Sequence, residues 1–173
     1  QNVGGDDLVV DVGGNDGTLL KAFRVQSRCR ILNVEPAKNI ADISRTNGVE
    51  THHGFFDADA AAKIKAMGGA KVITGTNVFN HINDLPSFMN DVKTALSEHG
   101  AFVFETPSLL ELVKRLAFDT IYLEHVSFFG MKPLVRFFET LDLHVHRIEP
   151  SDYMGGSFRV YVKRTPADPG VAQ

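Results

Sequence analysis

Asp11-Val12-Gly13-Gly14-Asn15-Asp16-Gly17-Thr18 follows directly on the apolar run Leu8-Val9-Val10. A short apolar run that breaks at glycines and passes into a helical period reads as a buried strand turning into a helix. Leu19, Leu20 and Phe23 supply that period, so a strand ending at Gly13 and a helix from Thr18 to about Gln26 are expected. Glycine tolerates the positive φ that such a turn needs and lets a ligand approach the backbone. The helix would aim its free N–H groups at the same place.

The alternation continues outward from this turn. Ile31-Leu32-Asn33-Val34-Glu35 reads as a second strand stopped at Pro36, and Lys38 to Thr46 as a helix ended by Asn47-Gly48. Glu50 to Phe55 is a short third strand, Ala58 to Met67 a helix, and Lys71 to Gly75 a fourth strand. Asp84 fits the N-cap of a helix through about Glu98, with Gly100 as its stop. Ala101 to Glu105 is a fifth strand closed by Pro107, and Leu109 to about Ala117 is helical. Residues 118–130 are aromatic and irregular, and Pro133 opens a helix with Leu134, Phe137, Phe138 and Leu141 on one face. His144 to Ile148 and Phe158 to Val162 are two last strands with no helix between them, hence an antiparallel edge pair. Repeated strand–helix units imply an α/β fold: a seven-stranded, mostly parallel sheet with helices on both faces. One domain over residues 1–164 and a frayed tail over 165–173 are expected.

Composition narrows the partners. The 173 residues are 43% hydrophobic and 23% charged, ordinary for a globular chain. A net charge of −3 and a pI near 6.2 argue against a basic footprint for nucleic acid. No run of 18 apolar residues is present, so no transmembrane helix is expected. No charged start leads into an apolar h-region, so no signal peptide is expected. Cys29 is the only cysteine, which excludes an intrachain disulfide and a multi-cysteine zinc site. The expectation is a cytoplasmic protein acting on a small molecule, with no nucleic-acid or membrane partner.

The spacing of the glycines separates two ligands. A dinucleotide fingerprint needs G-x-G-x-x-G. Counted from Gly13 the pattern meets Asn15 and Thr18, and counted from Gly14 it meets Asp16, so it fails. What stands here is D-x-G-x-x-x-G, from Asp11 through Gly13 to Gly17. This resembles the S-adenosylmethionine loop of Rossmann-like, class I methyltransferases, and Asp11 and Asp16 suit that cofactor's ammonium and sulfonium better than a pyrophosphate. Glu35, 18 residues past Gly17 at a strand end, matches the acid that accepts both ribose hydroxyls in that family, with Pro36 beside it. The resemblance implies cofactor contacts from Asp11, Gly13, Asn15 and Gly17. It further implies adenine contacts near Phe56, Asp57 and Asp59, and contacts to the methionine part from Asn77, Val78 and His81. Asp57 reads equally well as a helix N-cap, and His81 as a cap or loop residue.

Tyr122-Leu123-Glu124-His125 puts a phenol, a carboxylate and an imidazole into four residues. Histidine titrates near neutral pH and suits a general base; Glu124 would orient or charge-balance it, and Tyr122 would donate to a developing oxyanion. On spacing alone, an aromatic loop that covers the sheet is the stronger reading. From Asp7 to Arg164, however, the chain resembles the sugar C-methyltransferases that act on nucleotide-linked 4-keto-deoxysugars. The likeness lies in Asp11 to Leu20, Val34-Glu35-Pro36-Ala37, Asn77-Val78-Phe79-Asn80-His81, Phe102 to Pro107, Phe118 to His125 and Gly155 to Tyr161. It implies proton removal beside a ketone by His125, assistance from Tyr122 and Glu124, and methyl transfer to the enolate carbon without a metal. S-adenosylhomocysteine would be the product. Gly155, Gly156 and Ser157 would lie beside the sugar, though a tight turn between edge strands explains them equally well. That family often has His where this chain has Leu123 and Met154, and its members carry a cysteine-rich zinc segment and a further C-terminal domain. The chain is therefore expected to match their central, cofactor-binding domain. Oxygen or nitrogen methylation of another small molecule, and a non-catalytic cofactor-binding module, are the alternatives.

Overall fold

The computed structural model describes residues 3–167. Its strands are β1 (Leu8–Val12), β2 (Arg30–Glu35), β3 (Thr51–His53), β4 (Ala70–Thr76), β5 (Leu96–Pro107), β6 (His144–Ser151) and β7 (Ser157–Lys163). They form one sheet in the order β3-β2-β1-β4-β5-β7-β6. The first five run parallel, while β7 runs antiparallel to both β5 and β6. The expected edge pair is present, with β7 rather than β6 against β5. The helices are α1 (Thr18–Ser27), α2 (Lys38–Thr46), α3 (Ala58–Ala66), α4 (Leu85–Ala95), α5 (Leu109–Arg115) and α6 (Met131–Glu139). Among the described residues no helix is long and apolar enough to cross a membrane.

All five residues of β1 are buried, because a central parallel strand is covered on both faces. On one face Val10, Val34, Ile73, Phe102 and Phe104 pack against Ile64, Met89, Val92 and Phe138 from α3, α4 and α6. On the other, Val9, Ile31 and Val72 pack against Leu20 of α1 and Val49, while α2 lies along β2 and β3. Phe79, in a 3₁₀ turn after β4, is the hub of the larger core. Its ring centroid lies 4.3 Å from Phe104, 5.1 Å from Phe129, and between 6.0 and 6.3 Å from Phe102, Phe138 and Phe88. The strand order reverses between β1 and β4, so their carboxyl ends open the crevice where such sheets bind ligands.

Some boundaries depart from the sequence reading. The α4 helix stops at Ala95, not near Glu98, because Leu96 pairs with Ala70 and the chain enters β5 through a register shift. Gly69 and Gly100 permit that approach: a Cβ on Gly100 would stand 2.6 Å from the Ala70 carbonyl oxygen. Helix α6 begins at Met131, so Pro133 lies inside its first turn, where its missing N–H costs nothing. Of the expected tail, residues 165–167 have no regular structure and 168–173 lie outside the described residues. Helix α5 buries none of its residues, and Phe118, Ile121 and Leu123 beyond it are exposed.

Candidate active site

The glycine loop is shaped by what it packs against. Gly13 and Gly17 adopt φ of 64° and 79°. A Cβ on Gly13 would stand 2.7 Å from Val78, and one on Gly17 would stand 2.7 Å from Val49 and 2.9 Å from Ser44. Val78 is thereby placed against the loop. Asn15 takes a left-handed φ of 52° without being glycine. Asp16 is half-buried, and its carboxylate accepts from the Thr18 N–H and hydroxyl, each at 3.0 Å, which holds it below the usual carboxylate range. It thereby holds the start of α1.

Asp11 and Glu35 are both buried at strand ends. Asp11 accepts from the Thr74 hydroxyl at 2.6 Å, and burial pushes its carboxyl up to about 6. Glu35, 7% exposed, accepts from the Asn15 N–H at 3.2 Å and from the Ala37 N–H at 2.8 Å, one on each oxygen. Two backbone donors thus fix the plane of this carboxylate. Pro36 is exposed at the entry to α2.

Beyond β3 the structure reassigns the aromatic. Phe56 is 9% exposed, and its ring packs 5.4 Å from Phe88 in the core, so it is not free to stack on adenine. Phe55 is 74% exposed and is the accessible ring at this strand end. The strand ends at His53, and Gly54 turns the chain with φ of 155° before the two phenylalanines. Asp57 caps α3 by accepting from the Ala60 N–H at 3.0 Å, and Asp59 lies in that helix's first turn.

The turn after β4 and the aromatic segment 118–130 are brought together. The Asn80 carbonyl accepts from the Val126 and Ser127 N–H groups at 3.0 and 3.2 Å. His81 and His125 come within 5.2 Å, centroid to centroid, and the Tyr122 ring lies 4.0 Å from His125. Burial first, and then the facing His125, lower the His81 pKa, so its imidazole stays neutral near pH 7. Asn77 Oδ1, both polar atoms of the Asn80 side chain and His81 Nε2 are buried without a hydrogen-bond partner among the described residues. His125 is 6% exposed, and its Nδ1 lies 2.8 Å from the Thr120 carbonyl oxygen. That carbonyl, rather than Glu124, orients the ring; Glu124 is exposed. The Gly155-Gly156-Ser157 turn sits against α5. A Cβ on Gly156 would lie 2.7 Å from Glu111, and the Ser157 hydroxyl donates to the Tyr153 carbonyl at 2.9 Å.

Sequence reasoning missed two groups. Asn33, inside an apolar run, is fully buried and hydrogen-bonded to the glycine loop. On the α1 side, a cleft of about 1160 Å³ runs from Asp11 and the glycine loop across Thr74, Glu105 and Arg159. Arg159 pairs there with Glu105 at 2.9 Å, and the Tyr161 hydroxyl donates to Glu149 at 2.7 Å. Even alternation along β5 and β7 was the available signal for that polar face.

Strand order, glycine loop and the acid at the end of β2 together define a class I, S-adenosylmethionine-dependent methyltransferase fold. Residues 6–148 match the model of the methyltransferase domain family, and the chain belongs to that family. It is 38% identical over 172 residues to the C-methyltransferase NovU of Streptomyces niveus, covering 96% of this chain and 41% of that protein. The chain thus spans about two fifths of that relative's length. A methyltransferase of Haloferax volcanii, solved with its Trm112 activator, superposes with a TM-score of 0.74 at 14% identity, covering 94% of this chain and 84% of that one. The geranyl diphosphate C-methyltransferase of Streptomyces coelicolor A3(2), solved with Mg2+, geranyl diphosphate and S-adenosylhomocysteine, gives 0.68 at 13% identity, covering 95% and 73%.

Proposed function

We propose that the chain methylates a carbon atom of a nucleotide-linked keto-deoxysugar, with His125 as general base. The observation that carries this reading is the contact between His125 Nδ1 and the Thr120 carbonyl. A carbonyl oxygen only accepts, so Nδ1 holds a proton, and in the neutral ring Nε2 is the nitrogen that can accept one. The donor's nucleoside would rest on Glu35 and the glycine loop, with Phe55 at the adenine end and Asn77 Oδ1 among the unpartnered acceptors nearby. Bound there, S-adenosylmethionine supplies an electrophilic methyl group.

His125 Nε2 removes the proton from the carbon beside the ketone; the C–H electrons form the carbon–carbon double bond of an enolate, and the carbonyl π electrons move onto the ketone oxygen. Tyr122, stacked near His125, donates its hydroxyl proton in a hydrogen bond to that oxygen. Glu124, exposed beside them, balances the imidazolium charge. The likeness to a named C-methyltransferase supports carbon as the acceptor.

Deuterium wash-in tests the base directly. The chain is incubated in D2O with S-adenosylhomocysteine and a nucleotide-linked 4-keto-deoxysugar, and exchange beside the ketone is followed by NMR. His125→Asn is expected to stop both exchange and methyl transfer, while S-adenosylhomocysteine affinity changes less than about twofold. Exchange that persists in this variant removes His125 from the role.

A further inference from the structure

Asn33 lies on β2 two residues before Glu35, so the two side chains share one face of the sheet. Both reach the same loop residue. The Glu35 carboxylate accepts the Asn15 N–H at 3.2 Å, and Asn33 Nδ2 donates to the Asn15 carbonyl at 2.8 Å. Asn15 therefore has both of its backbone polar groups held from β2, which fixes it at a left-handed φ of 52°. Asparagine visits that region more readily than other non-glycine residues, and here two hydrogen bonds from β2 hold it there.

The Asn33 carboxamide is itself anchored. Nδ2 also donates to Ser44 Oγ at 3.0 Å, and Ser44 Oγ is 2.9 Å from the Thr51 hydroxyl. A path of hydrogen bonds thus joins the loop to α2 and β3. On the other side, Asn33 Oδ1 is buried without a partner, 2.5 Å from where a Cβ on Gly14 would stand. The loop has closed onto this amide as tightly as a glycine allows.

We propose that Asn33 is a positioning residue for cofactor binding: by clamping Asn15 it presets the N–H that orients the Glu35 carboxylate toward the ribose. The inference rests on the reading that the glycine loop and Glu35 hold the cofactor's nucleoside. An unclamped Asn15 would leave its left-handed well in the free protein and would have to be returned there on binding. The effect falls on affinity, not on the reacting groups at His125.

The test is a double-mutant cycle read by calorimetric titration with S-adenosylhomocysteine, at a temperature where circular dichroism shows every variant folded. Asn33→Ala is expected to weaken binding about tenfold, equivalent to about 1.4 kcal/mol. The KM for the methyl donor should rise by a similar factor, with kcat changed less than threefold. In a Glu35→Ala background, Asn33→Ala should weaken binding less than about threefold further, because the clamp acts through that carboxylate. Asn33→Asp keeps the shape but points an acceptor at the Asn15 carbonyl, and should lose affinity as Asn33→Ala does even if the alanine variant fails to fold. Unchanged affinity in Asn33→Asp and Asn33→Ala, or losses that simply multiply in the double variant, would overturn the inference alone. A wild-type chain that does not bind S-adenosylhomocysteine overturns the site reading and this inference with it.

Discussion

Replacing Glu35 by glutamine changes one oxygen to an NH2 group and little else in shape. In the native site each carboxylate oxygen accepts from a different backbone donor, Asn15 N–H at 3.2 Å and Ala37 N–H at 2.8 Å. A carboxamide has one acceptor, so whichever way it turns, an NH2 faces an N–H. One buried donor is then left unsatisfied, at a cost of about 1–3 kcal/mol. At roughly 2–4 °C per kcal/mol for a domain of this size, a cost near 2 kcal/mol lowers Tm by about 4–8 °C. Binding loses a second contribution. A carboxylate that accepts from ribose hydroxyls forms charge-assisted hydrogen bonds worth about 1.5–3 kcal/mol, so Kd for S-adenosylhomocysteine should rise roughly 10- to 150-fold. Differential scanning calorimetry reads the first effect and isothermal titration the second. A Tm within 1 °C of wild type (well inside the ~4 °C expected), together with a Kd within about twofold, would refute both the buried-acceptor reasoning and the ribose assignment.

Two further experiments test the neighbouring groups. Burial raises the Asp11 carboxyl from its ordinary 3.8 to about 6, so the folded state holds this proton where the unfolded chain has released it. Stability from this group is full below the unfolded value and is lost as pH rises from about 4 to about 6, by about 3 kcal/mol. The Tm of wild type relative to Asp11→Asn should therefore fall across that window and stay level above it; a flat difference would show that Asp11 is not kept protonated by burial. Phe56→Ala should cost about 3–5 kcal/mol of stability, as for a core phenylalanine, whereas Phe55→Ala should leave Tm within about 1 °C and weaken S-adenosylhomocysteine binding. Interchanged outcomes in thermal melts and titrations would return the adenine contact to Phe56.

The central parallel strands were readable because burial on both faces gives them apolar runs, as in Leu8-Val9-Val10 and Ile31-Leu32, whereas the edge strand β3 is Thr51-His52-His53 and carries no such signal. The end of α4 was not, because Val92, Ala95 and Leu96 keep a helical period while the backbone of Leu96 is claimed by Ala70. That competition is tertiary and leaves no local trace. In the site, glycine spacing and Glu35 could be placed from the chain alone, since both fall at strand ends. The Thr120 carbonyl behind His125 could not, because a backbone acceptor has no residue type to betray it. Asn33 was hidden by its neighbours: one amide among Ile31, Leu32 and Val34 reads as strand, and only the folded loop shows what it holds.

Phe79 joins the two halves of this design unequally. It pins the turn that carries Asn77 and His81 into a cluster of five other phenylalanine rings, so that wall of the site cannot shift without disturbing the core. The facing segment is built the opposite way: Phe118, Ile121 and Leu123 are exposed and hold nothing up. A lineage of such enzymes could therefore vary those three exposed positions while inheriting the buried turn and the core beneath it unchanged.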